Sequence, residues 1–113
     1  MSGLTILSEI DEQAVTAFCI KLRDYFHENI EEIRLFGSKA RGDDDPESDI
    51  DILIIVDKSN PETESKIFDL AYDTSLEYDV VIIPLIQSSA EYNNPKTKAS
   101  LFYHTTQKEG IVI

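Results

Sequence analysis

Residues 50–56 read Ile-Asp-Ile-Leu-Ile-Ile-Val, an apolar, β-branched run broken once by a carboxylate. Such side chains suit a pleated, half-buried surface, so the run reads as a buried strand. Asp49 stands just before it. Residues two apart in a strand project to one face. Asp49 and Asp51 therefore project together, with Cα atoms roughly 6–7 Å apart, while Ile50 and Ile52 turn into the core. An unpaired buried carboxylate is costly. The chain must fold so that the face carrying the two acids is not sealed into a core.

The elements around this strand can be read in order. Ser8 suits a helix cap, with Glu9, Asp11 and Glu12 where the helix dipole favours acids. Val15, Phe18, Cys19, Leu22 and Phe26 recur at helical spacing, giving a helix over about residues 9–28. Residues 33–36 form a short strand ended by Gly37, and residues 38–41 a helical turn. Asn60-Pro61 starts a helix whose apolar face holds Ile67, Leu70 and Ala71. Residues 79–85 form a third strand halted near Pro84. Asn94-Pro95 opens a last helix with Leu101 and Phe102 inward, and Gly110 suits the left-handed position after it. Residues 111–113 can form an edge strand. The class is α/β (α+β), a small mixed sheet with helices packed on it, in one domain over residues 1–113.

Charge and composition exclude several functions. Twenty-two acids against ten bases give a net charge of −12, the wrong sign for a duplex-binding or anionic-membrane surface. A basic partner or bound divalent cations fit better. Cys19 is the single cysteine, which excludes an internal disulfide framework and a cysteine zinc site. No apolar stretch approaches the roughly 20 residues of a membrane span, and the N-terminus lacks a signal-peptide pattern, so a cytoplasmic location is expected.

Taken alone, Asp-x-Asp is more simply the solvated start of a strand, because short matches are common. The preceding residues change that balance. Gly37 allows close backbone approach to a ligand. Ser38 offers a hydroxyl at the start of a helical turn, where free amides favour phosphate. Lys39 and Arg41 add positive charge nearby. Two carboxylates on one strand face can bracket hard cations in the manner of two-metal phosphoryl-transfer sites.

Gly37-Ser38, ten residues, then Asp49-Ile50-Asp51 resembles the signature of the polymerase-β-type nucleotidyltransferases. With Arg41-Gly42 and Ser48-Asp49, the string is most similar to the minimal nucleotidyltransferases among them. The resemblance implies that fold and transfer of a nucleoside monophosphate, AMP from ATP, to an acceptor hydroxyl. It implies Asp49 and Asp51 as ligands of two Mg²⁺ ions, and Gly37 and Ser38, with Arg41, as the nucleotide grip. It also implies a third carboxylate on a neighbouring strand, Asp79, which would bind the second ion and could accept the proton of the acceptor hydroxyl, with Glu77 as the alternative of the same strand parity. Minimal nucleotidyltransferases resemble antitoxins paired with HEPN ribonuclease toxins, in which a tyrosine of the toxin is adenylylated. The competing classes are a non-catalytic antitoxin that masks its partner and a small-molecule nucleotidyltransferase of the aminoglycoside kind. The acids Asp43, Asp44, Asp45 and Glu47 read as a solvated loop, or as a surface for a basic partner.

Overall fold

The computed structural model describes residues 6–42 and 48–113. The acidic loop over residues 43–47 lies outside the described residues. Helix α1 (Glu9–Phe26) starts where Ser8 accepts the Asp11 amide at 3.2 Å, and a single 3₁₀ turn, His27–Asn29, follows it. Then come β1 (Ile30–Phe36), the one-turn helix α2 (Ser38–Arg41) and β2 (Ile50–Val56). Helix α3 (Pro61–Tyr78) begins at Asn60, whose side chain accepts the Thr63 amide at 2.8 Å. Strand β3 (Ile82–Ser88), α4 (Ser89–Tyr92), α5 (Pro95–Lys98), α6 (Leu101–Glu109) and β4 (Ile111–Val112) complete the order.

The four strands form one mixed sheet in the order β3-β2-β1-β4. Strand β2 runs antiparallel to β1 and parallel to β3. It is therefore interior, and it is covered on both faces, which is why it reads as a near-continuous apolar run. Ile50, Ile52, Ile54 and Val56 enter the main core with Phe18 and Leu22 of α1 and Ile67 of α3. Leu53 and Ile55 pack on the opposite face with Tyr92, Phe102 and Tyr103. That second layer ends where the Phe102 ring meets Phe36 edge-on, with centroids 6.1 Å apart. Asp51, in register with Phe36, lies at this margin and is half-buried.

Several boundaries differ from the sequence expectations. Strand β1 begins at Ile30 rather than residue 33, because an irregular register between Ile30 and Glu32 breaks the alternation there. Strand β3 begins at Ile82 and runs through Pro84. It can do so because it is an edge strand. Val81 O accepts the Ile50 amide, so the backbone polar groups of Ile82 and Pro84 point away from β2. The Ile82 amide is taken by Ser75 Oγ at 3.0 Å, and Pro84 has no amide hydrogen. This blunts the edge against further strand pairing. The expected last helix is two, with Ser100 capping the second. Leu101 is 81% exposed, so only Phe102 of that pair faces inward. Gly110 is extended rather than left-handed, with φ −69°. A side chain there would strike Thr106 O and the Arg34 side chain, so close approach explains the glycine.

Candidate functional site

Two turns of chain meet at one end of the sheet. Gly37 leaves β1 with φ +78° and ψ −160°, a conformation open essentially to glycine alone. The Asp51 carboxylate lies against its Cα: a Cβ at position 37 would collide with Asp51 Oδ2 and come within 3.3 Å of Asp51 Cγ. The Gly37-Ser38 turn and the acidic strand are thus in direct contact across 14 residues of sequence. Gly37 O accepts the amides of Ala40 and Arg41 at 3.1 and 3.2 Å, which winds residues 38–41 into one helical turn. The amides at the start of such a turn have no carbonyl partner within it.

Asp49 is exposed and immediately precedes β2, and Asp51 follows it on the same face. Burial raises the Asp51 carboxyl above its ordinary 3.8, Asp49 raises it further, and Arg41 opposes both. The two carboxylates therefore repel each other, and Arg41 offsets this only in part. Its guanidinium, 41% exposed, donates to Glu109 Oε2 at 3.2 Å, so α6 helps to hold it at this end of the sheet.

Such a pair fits Mg²⁺: hard oxygen donors, net negative charge and a neighbouring turn suited to phosphate. Among the described residues no three His, Cys, Asp or Glu side chains converge as metal ligands. Among the described residues, a hard cation here would meet the Asp49 and Asp51 carboxylates, with substrate oxygens or water to complete its shell.

The remaining expected residues fall elsewhere. Asp79 is not on β3. It caps α3 in the left-handed conformation, φ +54°, with its amide on Ser75 O. It lines a groove of about 680 Å³ that includes Tyr72, Val81 and Ile83. Ile83 is the register partner of Asp51, but neither Asp49 nor Asp51 lines the groove. Glu77 lies within α3, where strand parity has no meaning, and its carboxylate is 3.9 Å from Lys21 Nζ. It is not brought to the site. Lys39 also departs from expectation. Its side chain is 2% exposed and its ammonium donates to Asp11 Oδ2 of α1 at 2.7 Å. It points into the protein and adds no exposed charge beside Ser38. Asp11 and Glu109, the partners of Lys39 and Arg41, were missed from sequence. Nothing local marks a pair separated by 28 or 68 residues.

Comparison with known proteins adds to this geometry. The profile of the nucleotidyltransferase domain family matches residues 19–106. A Methanocaldococcus jannaschii protein, provisionally named a protein adenylyltransferase, is 38% identical over 103 residues, covering 91% of this chain and 97% of that protein. A second protein of that organism with the same provisional name is 46% identical over 61 residues, covering 52% of this chain and 61% of its own. Among solved structures, a toxin-antitoxin with AMP-PNP superposes with a TM-score of 0.57 at 20% identity, covering 84% of this chain and 68% of that one. A mutant MntA-HpeT toxin-antitoxin superposes at 0.56 and 18% identity, covering 83% and 68%. At those identities the two structures bear on the fold, which they share with this mixed sheet. No helix among the described residues is long and apolar enough to cross a membrane.

Proposed function

Because the chain belongs to the nucleotidyltransferase domain family, we propose that it is a Mg²⁺-dependent protein adenylyltransferase that moves AMP from ATP to a hydroxyl of a partner protein. The observation that carries this reading is the seating of the Asp51 carboxylate on Gly37, which joins a phosphate-binding turn to an acidic pair. The partner we favour is a HEPN-type ribonuclease toxin modified on a tyrosine, which makes this protein its antitoxin. Two provisionally named adenylyltransferase relatives and two toxin-antitoxin neighbours in fold support that choice. The charge of −12 suits a basic, RNA-cutting partner.

Each residue has a defined part. Gly37 lets the backbone approach the terminal phosphates, and Ser38 offers its hydroxyl and amide to them. Asp49 and Asp51 would hold two Mg²⁺ ions, which would neutralise the triphosphate and acidify the acceptor hydroxyl. Arg41, steadied by Glu109, balances charge beside Asp51. Asp79, at the end of α3, takes the proton of the acceptor hydroxyl as that oxygen bonds to the α-phosphorus and the bond to the departing pyrophosphate breaks. Catalysis of this kind is chiefly positioning and electrostatics.

The test is incubation with ATP and Mg²⁺, with and without a co-purified partner, followed by intact-mass measurement, with Asp49→Ala and Asp51→Ala alongside. The expected outcome is AMP on the partner with wild type alone. A wild type that neutralises the partner without transferring AMP establishes masking by complexation instead. Transfer to an aminoglycoside and to no protein establishes the small-molecule enzyme.

A further inference from the structure

Helix α2 is a single turn, and a turn that short does not hold itself together, since the first hydrogen bonds of a helix fix many dihedrals for little return. Its attitude must come from outside. Ala40, 7% exposed, puts one methyl into the main core, which fixes a position but constrains rotation weakly. The stronger constraint is Lys39. Its ammonium is buried against Asp11 in the first turn of α1, with side chains 2% and 10% exposed. Asp11 is itself fixed, because its amide donates to the cap residue Ser8 and its carboxylate sits where the α1 dipole favours an anion.

A buried ion pair is a poor device for stability alone, because desolvation of both charges offsets most of their attraction, and apolar residues of similar volume do as well or better. Its particular property is direction: a charge-assisted hydrogen bond accepts one geometry. Successive helix residues are about 100° apart around the axis. Turning Lys39 inward therefore fixes where Ser38 and Arg41 point, and Arg41, two residues on, emerges on the far side, 41% exposed.

We propose that the buried Asp11–Lys39 pair sets the attitude of the Gly37-Ser38 turn, so that Lys39 is a positioning residue for the triphosphate and not a ligand of it. This rests on the adenylyltransferase reading for the identity of the ligand, but the orienting of α2 stands apart from it.

The experiment compares wild type, Asp11→Leu/Lys39→Met and Asp11→Glu, each without ligand and with AMP-PNP and Mg²⁺. Amide exchange is read at Ala40, Arg41 and Gly42, the three amides bonded within the turn. In the double variant the expected result is a melting temperature close to wild type, exchange at those three amides faster by roughly 10-fold or more, and AMP-PNP affinity lower by a similar factor, the loss a misplaced binding group brings. Asp11→Glu keeps the charges but lengthens one partner. It serves where the double variant does not fold, and is expected to weaken AMP-PNP binding with little change in melting temperature. A double variant, or a folded Asp11→Glu, with wild-type exchange at the turn and wild-type affinity overturns the proposal. If wild type itself fails to bind AMP-PNP with Mg²⁺, the adenylyltransferase reading falls, and the exchange at the three amides alone decides whether the pair orients the turn.

Discussion

Gly37→Ala is the most informative single change. Its cost has two parts that can be separated. The first is backbone strain: at φ +78° and ψ −160° an alanine is disfavoured by about 1–3 kcal/mol. For a chain of this length, each kcal/mol lowers the melting temperature by about 4 °C. The second part is local to the site. The new methyl falls on Asp51 Oδ2 and within 3.5 Å of Asp51 Cβ, so the carboxylate must retreat. A displacement on the order of 1 Å in a catalytic group costs about 100-fold in rate. Gly42→Ala is the matched control. Gly42 also has positive φ, +76°, but among the described residues its Cβ would meet only the flexible end of Ile6. Both variants are expected to melt several degrees below wild type. At a temperature where both are folded, Gly37→Ala transfers AMP about 100-fold more slowly while Gly42→Ala stays near wild type. Equal rates in the two variants would refute the argument that Gly37 is there to admit Asp51.

Other outcomes follow from the same geometry. The folded protein holds a proton on Asp51 more tightly than the unfolded chain does, so its contribution to stability falls as pH rises through the range just above 3.8. Asp51→Asn is therefore expected to melt at or above metal-free wild type at pH 7, and to lose the stabilisation Mg²⁺ gives wild type; a retained Mg²⁺ shift counts against Asp51 as a ligand. Asp79→Asn is expected to slow transfer by about 10²–10⁴-fold, the range for loss of a general base, whereas Glu77→Gln leaves it unchanged. Equal effects would reopen the assignment of the third carboxylate. The Cys19 thiol is pushed up to about 11 by burial, with Arg23 opposing. A thiol-specific disulfide reagent at pH 8 should leave it untouched in the folded protein and titrate one thiol after denaturation.

What could be read from sequence was local. The β-branched apolar run of residues 50–56 marked the buried strand, and the two-residue spacing of Asp49 and Asp51 suggested a common face. Ser8 and Asn60 mark helix starts because their side chains accept amides three residues on, within reach of a short pattern. What escaped depends on packing between distant segments. Lys39 looks like free charge beside a phosphate turn until Asp11, 28 residues earlier, is brought under it. Asp79 looks like a strand residue because apolar residues follow it, yet α3 continues through Tyr78, and aspartate tolerates the left-handed cap that ends it. Pro84 looks like a strand terminator, and only its place on a sheet edge makes it admissible within β3.

In the proposed function, the Gly37-Ser38 turn and the Asp49-Asp51 pair place a nucleoside triphosphate for attack at its α-phosphorus. The direct measurement uses ATP labelled at the α- or the γ-phosphorus, incubated with Mg²⁺, this protein and its co-purified partner. Covalent label on the partner is expected from the α-position only, and is expected to be absent in Asp51→Ala. Label from the γ-position, or α-label that persists in Asp51→Ala, contradicts it.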